Sequence, residues 1–133
     1  MNLVPGTEVD GLPFTATIDD VRQRRGAPAR EADNDVGMHE LDYGATVFRF
    51  QQVNGRLEEV TARAPVLHLP GGVAVPFAAL AAFLRAQDPG TFRAGGFVVS
   101  PAFGLAFDPS DSNWVTALAP HALPEWRKLA GHA

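Results

Sequence analysis

The 133-residue chain contains no cysteine, which excludes a disulfide framework and the thiolate-zinc patterns together. It also lacks a basic surplus. Eleven Lys and Arg stand against fifteen Asp and Glu, a formal charge of −4 with an isoelectric point near 5.4, which argues against a nucleic-acid binder and suits a basic protein partner. No run approaches the roughly 18 apolar residues of a membrane span. The opening MNLVPGTEVDGLPF has neither the basic region nor the apolar stretch of a signal peptide, so a cytoplasmic protein with no membrane partner is expected.

Chemistry-bearing motifs are scarce as well. His39, His68, His121 and His132 never fall three or four residues apart, so short-range histidine metal spacing is missing. Ser100-Pro101 lies in no G-x-S-x-G elbow, and neither Gly71-Gly72 nor Gly95-Gly96 links a strand to a helix as a dinucleotide loop does. His39, Glu40 and Asp42 form the one local acid–base trio, but strand alternation divides it between two faces. No catalytic residue, cofactor or metal is expected. Asp108 to Asn113, DPSDSN, offers oxygens for calcium but lacks a central glycine and a downstream glutamate; a turn accounts for the same residues.

What the chain does hold is an ordinary globular composition, 46% hydrophobic and 20% charged, and a phrase that reads twice. The first copy runs TIDDVRQRRGAP (Thr17 to Pro28), HELDYGATVFRF (His39 to Phe50) and NGRLEEVTAR (Asn54 to Arg63). The second runs PFAALAAFLRAQDP (Pro76 to Pro89), GFVVSPAFGLAF (Gly96 to Phe107) and SNWVTALA (Ser112 to Ala119). Each reads as a helix, a proline, a linker and an aromatic-glycine corner, Tyr43-Gly44 or Phe103-Gly104, inside paired strands. The expectation is a single α+β domain over 1–133: an antiparallel sheet with helices packed on one face. It is built from two α-β-β-β repeats at about 12–64 and 73–119, plus a C-terminal helix at about 121–130.

Local signals fill in this outline. Thr17 with Asp20 predicts a capping box, and Gly26 followed by Pro28 predicts the stop. Residues 29–38 carry no period and read as a surface loop. Thr46, Phe48 and Phe50 alternate with Val47, Arg49 and Gln51, which places the aromatics on one face of a strand. Asn54-Gly55 predicts a tight hairpin, and residues 65–75 predict two brief strands. Phe77, Leu80, Ala81 and Leu84 recur at helical spacing up to Asp88-Pro89-Gly90. The arginines Arg22, Arg24, Arg25 and Arg30 read as a solvated face. Trp114 and Trp126 read as core, although tryptophan also anchors interfaces.

The runs TIDDVRQRRGAP, LDYGATVFRF and NGRLEEV resemble the helix-plus-hairpin unit of beta-lactamase-inhibitor-like and outer-membrane lipoprotein assembly domains. The inhibitor family places two such units in tandem to form a concave sheet that grips a target enzyme. Without cysteine, lipobox or export signal, the secreted and lipoprotein roles do not carry over. What remains is similar to small, acidic bacterial immunity proteins. The resemblance implies a non-enzymatic inhibitor that occludes the active site of a cognate toxin. Its anchors are expected at Tyr43, Arg49, Gln51 and Trp114 and in an acidic loop around Glu31, Asp33 and Asp35. Two other readings stay open: a small-ligand or peptide-binding accessory protein with a pocket between sheet and helices, and a hydrolase whose residues converge only in space.

Overall fold

The structure, a computed structural model, describes residues 1–131; His132 lies outside them. Three short strands, β1 (Leu3–Val4), β2 (Glu8–Val9) and β3 (Leu12–Pro13), make a small antiparallel sheet. Helix α1 (Ile18–Arg25) leads into a meander of β4 (Arg30–Asp33), β5 (Met38–Asp42), β6 (Thr46–Gln51) and β7 (Leu57–Arg63). A hairpin of β8 (Val66–Leu69) and β9 (Val73–Pro76) precedes helix α2 (Phe77–Gln87). A second meander follows: β10 (Phe92–Ala94), β11 (Phe97–Ser100), β12 (Leu105–Phe107) and β13 (Trp114–Leu118). A 3-10 turn (Pro120–Ala122) and helix α3 (Leu123–Gly131) complete the described chain. The meanders join where β13 pairs with β7, giving one eight-stranded antiparallel sheet in the order β10-β11-β12-β13-β7-β6-β5-β4. The α+β class is as expected. No helix among the described residues is long and apolar enough to cross a membrane.

Local chemistry explains the helix ends. Asp20 N–H donates to Thr17 Oγ1 at 3.1 Å while Thr17 N–H donates to the Asp20 carboxylate at 2.9 Å, closing the capping box. Gly26, at φ 77°, takes the left-handed turn that ends α1. Helix α2 stops at Asp88, whose buried carboxylate accepts from Gly90 N–H (2.9 Å), Ser100 Oγ (2.7 Å) and Ala102 N–H (3.0 Å). The Ser100 and Ala102 bonds tie the end of α2 to β11 and the turn that follows it. Burial alone raises the Asp88 pKa, but the three donors outweigh it and hold the carboxyl below its ordinary range.

Three expectations are corrected. Helices α1 and α2 each lead into a meander of four strands rather than three: residues 29–38 hold a strand and a turn, with Arg30 to Asp33 paired to Asp42 to His39, and Phe92 to Ala94 add β10 to the second. Strand β4 is exposed along its whole length, so no buried face imposes an alternation that would reveal it. The Asn54-Gly55 turn is wider than a two-residue hairpin, with residues 52–56 joining β6 to β7. Of those two residues only Gly55, at φ 69°, has a positive φ, and the Asn54 side chain instead accepts from Arg56 N–H at 2.9 Å.

The third correction concerns the helices. Residues paired across antiparallel strands share a face, and on the first face Leu41, Phe48, Val60, Val98, Leu105 and Phe107 are buried. Val21 of α1, Leu80 and Leu84 of α2, Leu3 and Val9 of the small sheet and Leu67 of the β8–β9 hairpin close over them in one cluster. Each such side chain contributes about 1.5–3 kcal/mol. Helix α3 packs on the opposite face, where Leu123, Trp126 and Ala130 meet Ala94, Val99, Ala106 and Leu118. Two helices share one face; the third does not. Val98 and Val99 are both buried, in different clusters, so the β10–β12 end has a core on each side.

Candidate functional site

Helix α3 covers only the β10–β13 end of its face, and the 3-10 turn that precedes it reaches β7, where Glu58 and Glu59 are buried; β5 and β6 are left as the more open strands on that side. There the register sets Glu40 opposite Arg49 and Arg49 opposite Glu59, with Thr61 opposite Thr116 one row along. Cross-strand neighbours of opposite charge attract, and the side chains connect accordingly. Arg49 donates through Nε to Glu40 at 2.7 Å and through Nη1 to Thr61 Oγ1 at 2.6 Å and Glu59 Oε1 at 3.3 Å. The Thr61 and Thr116 hydroxyls lie 2.8 Å apart. One guanidinium therefore organises three strands.

Glu59 is the unusual member. It is 8% exposed, and burial pushes its pKa above the ordinary carboxylate value, against the lowering effects of the Arg49 charge and the Trp126 indole. At the border between α3 and the open strands a cleft of about 420 Å³ has Arg49, Glu59, Thr61 and Thr116 on its floor. Trp114, Trp126 and Phe97 give it an aromatic side, and Asp108, Asp111 and Val47 complete the lining. Trp126 leans on Phe97 with ring centroids 5.3 Å apart, and the Arg63 guanidinium lies 5.9 Å from the Trp114 ring centre.

The expected anchors divide among three places. Arg49 and Trp114 meet in the cleft. Both tryptophans are half-buried beside it; Trp126 also packs on the core under α3, whereas Trp114 joins neither core cluster. Gln51 lies on the same face beside a β-bulge at Arg49/Phe50. The bulge leaves Glu58 without an opposite residue in β6, and Gln51 Nε2 donates to the buried Glu58 carboxylate. His121 Nε2 comes within 3.3 Å of that carboxylate but makes no hydrogen bond.

Tyr43 is on the other side of the sheet. Its hydroxyl donates to Gly26 O at 2.8 Å and its ring meets Phe48 edge-on, which pins the end of α1. The acidic loop is corrected outright. Glu31 and Asp33 belong to β4, and alternation turns both toward His39, whose ring nitrogens lie 2.6 Å from each carboxylate. Asp33, then Glu31, raises the His39 pKa against a smaller effect of burial. Arg22 adds a 2.5 Å contact to Glu31. Of that acidic group only Asp35 sits in a turn, exposed between β4 and β5. The arginine face is likewise in use: Arg24 donates to Gly11 O at 2.8 Å, and Arg25 lies 5.1 Å from the centre of the Phe48 ring.

Glu59, Thr61, Thr116, Asp108, Asp111 and Trp126 were not among the expected site residues. The doublet Glu58-Glu59, inside a segment expected to return against Arg49, was the available signal; the bulge and the wider turn decide which glutamate meets the arginine. Asp108 to Asn113 is a turn, with Asp108 accepting from Ser110 N–H at 2.9 Å and Ser110 Oγ at 2.7 Å. Ser110 accordingly holds the Asp108 carboxyl below its ordinary range. Among the described residues no group of His, Asp and Glu is arranged to hold a metal ion. A second cavity of about 290 Å³ lies under α1, lined by apolar side chains of Val9, Leu12, Val21 and Phe48 and by the charged Arg24, Arg25 and Asp10.

The chain matches no protein-family model, no curated protein and no solved structure. A functional reading rests on the geometry of the sheet. The open strands and the cleft beside α3 form a firm surface of mixed charge with exposed aromatic area, an arrangement suited to holding a partner. Ser100 is buried with its hydroxyl donated to Asp88, and His39 lies on the opposite face between two carboxylates. Neither brings nucleophile or base chemistry to the cleft.

Proposed function

We propose that the protein is a non-enzymatic binding module that inhibits a cognate toxin by covering its active site, with the open β5–β7 face and the adjoining cleft as the recognition surface. The observation that carries this reading is the half-covered face. Strands β5 and β6 present half-exposed side chains in an ionic network anchored on the buried Glu59 of β7, next to two half-buried tryptophans. Tryptophan and arginine held in place contribute most to protein interfaces, and a network already formed loses little freedom on binding. A standard interface takes about 800 Å² from each partner, well within the 6887 Å² surface of this chain. The surplus of carboxylates suits a basic target.

We read the two helix-plus-meander halves as two copies of one unit, the tandem arrangement that the resemblance to beta-lactamase-inhibitor-like domains implies. As an immunity protein the chain would act in the cytoplasm of the toxin-producing cell. Co-expression with the product of the gene beside its own tests the function. Protection by the native chain is expected, together with its loss in Val47→Arg, which places bulk and charge on the open face. Unchanged toxicity and no complex with the neighbouring product would overturn the reading. The cavity under α1 favours a second reading, an accessory protein for a small apolar anion. Thermal stabilisation by medium-chain carboxylates, removed by Arg25→Ala, would be its signature.

A further inference from the structure

The cleft beside α3 has a chemical bias of its own. Three carboxylates line it, Glu59, Asp108 and Asp111, against one cation, Arg49. That cation is shared, because its Nε serves Glu40 and its Nη1 reaches Glu59 only at 3.3 Å. Among the described residues neither Asp108 nor Asp111 takes part in an ion pair, and Arg93 influences Asp108 only at longer range. Charge balance thus leaves room for a second positive group and disfavours an anion. The aromatic side points the same way at Trp126, since the face of an indole attracts a cation that has shed part of its water, while Trp114 already has the Arg63 guanidinium 5.9 Å from its ring centre.

We propose that the cleft receives a guanidinium or ammonium side chain from the protein partner, paired with Glu59, Asp108 and Asp111 and lying against Trp126. This rests on the reading of the open face as a docking surface and names what the deepest part of it takes. Arginine fits better than lysine: its planar group both stacks and forks toward two carboxylates. The buried Glu59, whose proton affinity is raised by burial, is the group whose ionised form gains most from the arriving charge. The partner's arginine therefore completes a balance that Arg49 alone leaves short.

The test uses the protein alone with Nα-acetyl-argininamide as probe, followed by NMR of the two tryptophan indole N–H signals. Saturable shifts of both signals in the millimolar range are expected near neutral pH. The neutral citrulline analogue is expected to shift neither. Asp111→Asn, an exposed change in a turn, is expected to weaken the probe by at least ~3-fold, and Glu59→Gln by more. Equal response to the citrulline analogue, or shifts confined to residues around the α1 cavity, would overturn the proposal. Failure here is separable from failure of the proposed function. A toxin complex on the open face that is insensitive to Asp111→Asn and Glu59→Gln would remove the cation site and leave the inhibitor. Probe binding without any toxin partner would do the reverse.

Discussion

On the face that carries α3, the two ends of the large sheet are built on opposite principles. Strands β10 to β12 place Ala94, Val99 and Ala106 there, small apolar side chains that let a helix settle on the strands. Strands β5 to β7 place Glu40, Arg49 and Glu59 at the corresponding depth and receive no helix. An uncovered sheet must be tolerated by water, and cross-strand ion pairs achieve that while fixing register. The contrast teaches that the open half is a finished surface, with partners for its charges, rather than a core missing its lid.

The sharpest way to break the comparison is to put the same carboxylate on both ends. Ala106→Glu, under α3, is expected to cost more than ~3 kcal/mol, since it buries a charge without a partner. Val47→Glu, on the open end, should cost no more than about 1 kcal/mol, the loss coming from the Asp42 carboxylate directly opposite. Urea denaturation of the two variants reads both numbers, and similar losses would mean that the open half is also packed. Removal of the Asp88 staple comes next. Asp88→Ala leaves Ser100 Oγ and two backbone N–H groups unsatisfied and should cost about 3 kcal/mol. Because the folded-state pKa of Asp88 lies below its ordinary 3.8, its contribution is present above that pH and fades as pH falls through the folded value. The variant should therefore show a weaker loss of stability on acidification to pH 3 than the native chain.

Arg49→Met sharpens the comparison from the open side. Glu59 is left buried without its cation, at a cost of about 2 kcal/mol at neutral pH after allowance for partial exposure. The folded-state pKa of Glu59 is raised above 4.5, so its charged form opposes folding at higher pH and relief comes as pH falls. Denaturation at pH 4 should show the Arg49→Met deficit reduced, and adding Glu59→Gln should remove its pH dependence. The smallest effect belongs to the outer edge. His39, raised above 6.5 by Asp33 and Glu31, stabilises the β4–β5 pairing fully below that pH and loses this contribution as pH rises through the folded value. His39→Gln should flatten this step, worth less than about 1 kcal/mol, and hydrogen exchange in β4 measures it.

The sequence showed clearly the elements whose residues have a buried face. The Phe48–Phe50 alternation and the Leu80–Leu84 spacing state their elements because packing demands a period, while Thr17 and Asp20, both exposed, mark the start of α1 by their capping hydrogen bonds. Strand β4 was illegible for the opposite reason, as all its residues face solvent. The side taken by α3 was also hidden, because Leu123 and Trp126 say that a helix buries a stripe but not against which face. Of the site, Arg49 and Trp114 could be picked out as large side chains in otherwise ordinary strands. Glu59 could not, since a bulge at Arg49/Phe50 shifts the register and no local pattern announces a bulge. Glu31 and Asp33 looked like an interaction loop because acidic residues without a period resemble one; in the fold they clamp His39.

The central claim is that the open β5–β7 face and its cleft are where the protein meets its partner. Hydrogen–deuterium exchange of the complex with the neighbouring gene's product tests it most directly. The account predicts slowed exchange in β5, β6 and β7 and around Trp114 and Trp126, with α1 and the β8–β9 hairpin unchanged. Slowed exchange confined to α1 and that hairpin, with the open strands exchanging as in the free protein, would contradict it.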